Sequence, residues 1–250
     1  ADGYRGMKFI LKDTGSSRMI SHLVLLKNNF MYKLSRITDS ASLDSGFGNN
    51  FFSSLRPVEY GDAKNIYESK LPLFFNELFS TDSATFKKAQ QSIANVRYGV
   101  PGIPLIMDAI RRLNTGNKDY YNIKSKLIAE LGYIRDSTSD QLVTNLYALY
   151  RETADTALFQ NEVIKALSRI KTKASYLQLK KILVKDPPIF ETVYDYNSIF
   201  SNLDDSLQLS TVLFPQIMQL STLDDYKEKI TNLLVTLVDS GLVKSSLYEK

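Results

Sequence analysis

Two stretches of the chain share one pattern of apolar residues, offset by 36 positions from residue 127 to residue 163. The first reads Leu127-Ile128-Ala129-Glu130-Leu131-Gly132-Tyr133-Ile134, and the second reads Val163-Ile164-Lys165-Ala166-Leu167-Ser168-Arg169-Ile170. A shorter copy follows as Ile199-Phe200-Ser201-Asn202-Leu203. A repeat of this length is typical of stacked helix pairs, because each amphipathic pair buries its apolar side only against a neighbour. We therefore expect a curved stack of helices with a large exposed surface.

From Asp62 to the C-terminus, apolar residues recur at helical spacing. Asp82 and Ser139, like Asp62 itself, stand where N-caps belong, since a short polar side chain there accepts the free N–H groups of the first turn. Gly241 is placed to end the last helix in the left-handed conformation. One of the later helical stripes joins Leu209, Val212, Leu213, Ile217 and Leu220.

Short breaks are predicted between these helices at Tyr98–Gly102, Asn114–Asn117 and Lys185–Pro188. Pro104 is then expected in the first turn of the following helix, where proline is tolerated. Connections this short place successive helices antiparallel and adjacent. The period lacks the Trp and Tyr positions of tetratricopeptide units and the Thr-Pro-Leu-His of ankyrin repeats. The predicted fold class is therefore mainly α, a HEAT-like or armadillo-like α-solenoid of antiparallel helix pairs.

The first sixty residues carry strand signals instead. Apolar and polar residues alternate in Met7–Lys12 and in Phe30–Thr38, and the segment Ile20–Lys27 between them is largely apolar. Asn28-Asn29 tolerates the positive φ that a two-residue hairpin turn requires. These signals predict a small antiparallel β element of three strands at the N-terminus.

A short helix from Phe47 to Leu55 is expected to cover one face of this sheet, and Pro57 is expected to end it. The predicted domains are residues 1–60, a β meander with a short helix or the end of an upstream domain, and residues 61–250, an α-helical repeat domain.

The composition limits the possible functions. With 31 basic and 27 acidic residues the net charge is +4, and the basic residues are spread along the chain, so a nucleic-acid partner is not indicated. No apolar run approaches the roughly 18 residues of a membrane-spanning helix. The absence of cysteine excludes disulfides, thiolate metal sites and cysteine nucleophiles. The chain begins Ala1-Asp2-Gly3 without an initiator Met, which favours an excised piece of a larger protein.

The residues give little support for catalysis. His22 is the only histidine and lies mid-strand in an apolar run, so a His-rich zinc site is excluded. No Gly-x-Ser-x-Gly elbow occurs, and Gly99–Pro104 lacks the Gly-Lys-Ser/Thr ending of a phosphate loop. Asp204-Asp205 and Asp224-Asp225 each precede an apolar run, which favours charges at helix N-termini over cation ligands. We expect no cofactor, no metal and no enzymatic activity in this chain.

Two groups of basic residues are the candidate binding residues. One group is Arg97, Arg111 and Arg112, and the other contains Lys173 and Lys180. A nucleic-acid groove would need aromatic residues interleaved with these charges and a stronger positive field. The simpler interpretation is a charged, solvated helix face.

Four segments carry a resemblance to a known family: Asn29–Ser35, Phe51–Pro57, Asp155–Leu167 and Leu183–Pro188. In this order they resemble the C-terminal HEAT-like repeats of large envelope proteins from Bacteroidota, the long members of the TraB/GumN family. The resemblance implies location in the cell envelope or periplasm, beside an upstream metal-dependent, protease-like domain. That family's Gly-x-x-His motif is missing here, because Met19 stands three residues before His22, so no catalytic residue is carried over.

The sequence thus predicts a non-catalytic helical-repeat scaffold that binds a protein, a peptide or a neighbouring domain of its own chain. The alternative is the accessory region of a TraB-like hydrolase whose catalytic part lies outside this chain. Two further alternatives are an enzyme with the acidic pairs or Arg111 and Arg112 lining a pocket, and a nucleic-acid-binding solenoid.

Overall fold

The computed structural model describes residues 4–27, 30–43, 45–55, 68–134, 140–190 and 192–247. The chain divides into two compact units, Ala1–Lys70 and Leu71–Lys250. Several predicted features lie outside the described residues: the domain boundary at residue 60, the turn at Asn28-Asn29, the helix stop at Pro57, and the caps Asp62 and Ser139.

The first unit contains the predicted three-stranded antiparallel sheet. Its strands are β1 (Arg5–Lys12), β2 (Arg18–Lys27) and β3 (Phe30–Asp39), in the order β1-β2-β3. In this register Phe9 lies opposite His22, and His22 lies opposite Ser35. The N-terminal β element is therefore confirmed.

One face of the sheet contacts the helix α1 (Gly46–Ser54). The Arg36 guanidinium donates to the backbone oxygen of Leu43 at 2.7 Å, just before this helix, and the Lys8 ammonium lies 5.7 Å from the centre of the Phe52 ring. The Ser45 hydroxyl caps the helix by accepting from the Gly48 N–H. The short helix was thus predicted at the correct place, with its start one residue earlier than expected.

The described residues of the second unit form helices joined by turns and loops, and no strand, which confirms the mainly α class. Its helices are α2 (Leu71–Leu78), α3 (Ser83–Ser92), α4 (Gly99–Arg112), α5 (Tyr120–Leu131), α6 (Asp140–Glu152), α7 (Ala157–Ile170), α8 (Lys173–Lys185), α9 (Val193–Asp204), α10 (Leu207–Ser210) and α11 (Asp224–Asp239). Four 3₁₀ segments accompany them, at Ile93–Asn95, Thr211–Leu213, Gln216–Thr222 and Ser245–Leu247.

In the second unit, helices that are two apart along the chain pack against each other. Helix α7 contacts α5 on one side and α9 on the other, and α9 contacts α11. In a second series α6 contacts α8, and α8 contacts the 3₁₀ segments Thr211–Leu213 and Gln216–Thr222. Three apolar positions are shared by all three copies of the repeat, and their side chains are almost wholly buried between these helices: Leu127, Ile128, Leu131, Val163, Ile164, Leu167, Ile199, Phe200 and Leu203.

Two helix termini lie where the sequence predicted them. Asp82 caps α3, with its Oδ2 accepting from the Thr85 N–H at 2.8 Å. Gly241 has a φ of +68°, and the N–H of Leu242 bonds back to the carbonyl of Leu237. This arrangement is a Schellman motif, which requires a residue with positive φ directly after the helix.

The predicted break at Tyr98–Gly102 is wrong, because α4 already begins at Gly99. Pro101 fits in its first turn, where backbone N–H groups have no helical partner. Pro104 lies in the second turn rather than the first, so it removes one hydrogen bond from within the helix.

Two other local predictions are also corrected. Asp204 and Asp205 end α9 instead of beginning a helix, whereas Asp224 and Asp225 do lie in the first turn of α11. The stripe from Leu209 to Leu220 is divided between α10 and two 3₁₀ segments, because Pro215 interrupts the helical backbone between them.

Candidate functional site

A groove with a volume of about 450 Å³ lies between the start of α9 and the start of α11. One wall comes from the segment that leads into α9, and the other from the first two turns of α11. The lining residues are Phe190, Thr192, Val193, Tyr196, Asn197, Asp225, Glu228 and Lys229.

Thr192 fixes the direction in which the chain enters α9. Its Oγ1 accepts from the Asp195 N–H at 3.1 Å and donates to the Asp195 carboxylate at 2.7 Å. The other oxygen of that carboxylate lies 2.5 Å from Nζ of Lys165, on α7. The groove wall is therefore held by the neighbouring helix as well as by its own N-cap.

Phe190 and Tyr196 form the floor of the groove, and they belong to an aromatic cluster whose other members, Tyr226 and Phe200, are buried behind it. The Phe190 ring packs on Tyr196 at 5.2 Å between centroids and on Tyr226 at 5.4 Å. Tyr196 packs edge-on against Phe200 at 5.0 Å. The Tyr226 hydroxyl donates to the backbone oxygen of Pro188 at 2.5 Å, which ties α11 to the segment before α9. Such edge-to-face contacts give the floor a defined shape.

The rim of the groove is acidic. Asp225 and Glu228 are exposed, and the Lys229 ammonium lies 5.9 Å from the Tyr196 ring centre. Burial raises the pKa of Tyr196, a hydrogen bond from the backbone of Lys229 opposes that shift, and the carboxylates of Glu228 and Asp225 raise the pKa further. The negative charges of Glu228 and Asp225 therefore act on the Tyr196 hydroxyl.

Three large apolar side chains are exposed in the segment that forms one wall of the groove: Val193, which lines the groove, and its chain neighbours Ile189 and Tyr194, with 75%, 78% and 73% of their surface accessible. Apolar groups clustered at one place on a surface are typical of sites that bind another molecule. Together with the two carboxylates, they suit a ligand that carries both apolar and basic groups.

A smaller cavity of about 270 Å³ lies between the turn from α2 to α3 and the loop after α4. Phe79, Phe86 and Leu113 supply its apolar lining, and Lys118 is its basic residue. The Arg112 guanidinium stacks on the outside of the same region, 4.1 Å from the Phe79 ring centre, and pairs with Asp108 at 3.6 Å.

The predicted basic binding residues are spread over the second unit. Arg97 precedes α4, whereas Arg111 and Arg112 are its last two residues, so about 20 Å of helix separates them. Lys173 is the exposed first residue of α8. Lys180 donates to the backbone oxygen of Val212 at 2.9 Å, which gives it a packing role. Binding by these residues stays a prediction.

His22 lies in the sheet of the first unit and is nearly buried. Its Nδ1 is 2.8 Å from the Ser35 hydroxyl, and its ring lies 4.9 Å from that of Phe9. Among the described residues no group of three or more His, Cys, Asp or Glu side chains is placed to hold a metal ion. No described helix is both long and apolar enough to cross a membrane.

No protein-family model matches the chain, and neither the curated proteins nor the solved structures include a match to it. The resemblance to the TraB/GumN family, and the envelope location that it implies, therefore stay predictions.

Proposed function

We propose that the helical unit is a non-catalytic, HEAT-like repeat scaffold that binds a peptide segment of a partner in the groove between α9 and α11. The observation that carries the proposal is the exposed apolar cluster of Ile189, Val193 and Tyr194 beside the carboxylates of Asp225 and Glu228. The expected ligand is a segment with apolar and basic side chains.

A recurrent set of hydrogen bonds supports the repeat architecture. Tyr150 Oη donates to the carbonyl of Asp186, Asn202 Nδ2 to the hydroxyl of Ser168, and Gln219 Nε2 to the carbonyl of Val184. These bonds join residues 36, 34 and 35 positions apart, close to the 36-residue offset of the apolar pattern, and other side-chain bonds between helices span from 26 to 38 positions. In a stack of repeats each unit contacts only its neighbours, so long-range contacts are expected to cluster near one repeat length.

The groove suits peptide recognition better than catalysis in two respects. Its floor is a rigid aromatic surface, and aromatic groups are enriched where proteins bind other proteins. Its charged groups lie at the rim, where they contribute to specificity and to the rate of association. Val193 offers an apolar contact that a partner side chain can cover.

The test is fluorescence anisotropy of the full chain with three sets of labelled short peptides of equal length: apolar and basic, apolar and acidic, and polar without charge. We expect the apolar and basic set to bind most tightly. Asp225→Lys should weaken that binding by about tenfold, equal to about 1.4 kcal/mol. Val193→Gln should weaken it as well, because it removes an apolar contact without changing the charge of the groove.

The matched control is Asp140→Lys. Asp140 is exposed and lies in the first turn of α6, just as Asp225 lies in the first turn of α11, so both variants lose the same favourable charge at a helix N-terminus. Asp140→Lys should leave peptide binding unchanged. Equal binding of the three peptide sets, or equal losses in both variants, would show that the groove does not bind such segments.

A further inference from the structure

The sheet of the first unit has two faces of different character. Side chains alternate along each strand, and the antiparallel register places Met7, Leu11, Ile20, Met31 and Ile37 on one face. The opposite face holds Lys8 and Arg36, which contact α1 and the segment before it. Helix α1 therefore contacts one face of the sheet, and the aliphatic side chains lie on the other.

The aliphatic face is open to solvent. On β3 every second residue is exposed, and the exposed ones include Met31 at 67% and Ile37 at 77%. Met7 and Leu11 on β1 are 65% and 54% exposed, and Ile20 on β2 is 36% exposed. An antiparallel sheet commonly has one solvated face, but that face is usually polar. Several large aliphatic side chains exposed on one face of a sheet are typical of an interaction surface, although the row Phe9, His22 and Ser35 crosses this face between them.

We propose that this face docks on an anionic lipid surface. Of the seven basic side chains of the three strands, Arg5, Arg18 and Lys33 belong to the aliphatic face, and its one acidic side chain is Asp39, at the end opposite Arg18. The face therefore has a net positive charge. Aliphatic side chains that enter the interfacial region, together with basic residues that meet lipid phosphates, form the pattern of proteins that lie on a membrane.

The same charges argue against two other occupants. A second copy of the sheet would place like charges together across the interface, which is unfavourable. A protein partner is less well matched, because lysine is depleted and aromatic residues are enriched at protein interfaces. The exposed apolar groups on this face are aliphatic, and the charge beside them at the centre of β3 is Lys33.

The experiment is co-sedimentation of the full chain with two kinds of vesicle, phosphatidylcholine alone and phosphatidylcholine with about 30% phosphatidylserine. We expect binding to the anionic vesicles that declines as salt screens the charges, and little binding to the neutral ones. Lys33→Gln should lower the partition coefficient about fivefold, since each basic residue near such a surface contributes a factor of about five.

The apolar contribution is tested with the double variant Met31→Gln and Ile37→Thr, which keeps the charge constant and places a good strand former at residue 37. It should lower the partition coefficient by at least about tenfold, because two inserted side chains lose their apolar burial. The control is Leu177→Gln, an exposed leucine of α8 that is 46% accessible. That variant should bind vesicles as the parent does.

Three results would overturn the proposal. One is equal binding, or no binding, to the two kinds of vesicle. The second is unchanged binding of the double variant. The third is a dimer in sedimentation velocity that dissociates in the double variant, which would show that a second copy covers the face.

Discussion

Lys165 carries a charge that is almost fully buried within the second unit. Its Nζ lies 2.6 Å from Oε1 of Glu162 and 2.5 Å from Oδ1 of Asp195. Burial by itself would lower the pKa of Lys165, but the hydrogen bonds that its ammonium donates to Asp195 and Glu162, and the charges of these carboxylates, outweigh it and raise the pKa. The ammonium therefore stays charged and holds α9 against α7.

Replacing Lys165 with methionine should destabilise the fold by about 3–5 kcal/mol, because it leaves two carboxylates buried without their partner. The measurement is the free energy of unfolding from urea titration. Lys173→Met is the matched control, since Lys173 is an exposed residue at the start of α8. A loss in Lys165→Met no larger than that of the control would mean that the buried pairs add nothing.

The pH dependence of this cluster has a definite sign. Burial alone would raise the pKa of Asp195, but hydrogen bonds from Lys165 and Thr192 lower it below the ordinary value. A depressed carboxyl pKa stabilises the folded state above the unfolded pKa of about 3.9, and that contribution is lost as pH falls through the folded value. The sequence could not predict the cluster, because nothing in it pairs Lys165 with a residue 30 positions away.

At the scale of single elements, periodicity was sufficient for most of the fold. Alternation predicted β1 and β3, an apolar run between them predicted β2, and the 3.6-residue spacing predicted the helices of the second unit. The spacing did not predict where helices end. An Asp-Asp pair such as Asp204-Asp205 can stand at the start or at the end of a helix, and the spacing does not show which. The α6 stripe of Leu142, Val143, Leu146 and Leu149 follows the same spacing as the repeat, so the pattern marks buried helix faces in general.

The contact between α5 and α7 depends on Gly132, directly after α5. A Cβ at this position would lie 2.7 Å from the Cα of Ala166 on α7, and backbone cannot yield as a flexible side chain can. Gly132→Ala should therefore destabilise the protein by about 1–3 kcal/mol through overpacking.

Thermal unfolding followed by circular dichroism measures this loss. Gly46→Ala is the control, because no atom lies within 4 Å of the added methyl group. If the two variants melt together, the close approach of α5 and α7 is not a constraint on residue 132.

At the scale of the whole molecule, tyrosine hydroxyls join helices that are distant in sequence. Tyr150 donates to Asp186, Tyr176 to Asn202 and Tyr226 to Pro188, in each case to a backbone oxygen. Burial raises the pKa of all three phenols; the Asp186 charge raises that of Tyr150 further, and hydrogen bonds with Ser206 and Ser210 partly offset the shift of Tyr176.

These raised pKa values predict a loss of stability at alkaline pH. A group whose folded pKa is raised stabilises the fold below its unfolded pKa, which is about 10 for tyrosine, and the contribution is lost as pH rises toward the folded value. The free energy of unfolding should therefore fall steeply above about pH 10. Tyr176→Phe should show a shallower fall than the parent when urea titrations are compared across this range. Parallel curves would contradict a role for the Tyr176 hydroxyl.

The groove was not predicted, although a signal for it was present. From the sequence, Asp224-Asp225 is a helix-terminal pair, a possible cation site or, in the enzyme alternative, part of a pocket lining, and the candidate binding residues are basic. The signal lies after Pro187-Pro188. Ile189, Val193 and Tyr194 are apolar at positions where a loop and an exposed first helical turn are usually polar. This segment lies close to Asp225 because α9 packs against α11, and the spacing of residues along the chain does not predict that packing.

The tyrosines at these helix junctions also give the protein an optical property. The chain has 15 tyrosines and no tryptophan, so its near-ultraviolet absorption and emission come mainly from tyrosine. Because burial raises the pKa of Tyr150, Tyr176 and Tyr226, these phenols ionise less readily in the folded protein than when they are exposed to solvent. Phenolate absorbs at longer wavelength than phenol, so above about pH 10 separation of the helices increases the ultraviolet absorption of phenolate without any added dye. One tryptophan introduced at Phe190 would give the groove a signal of its own.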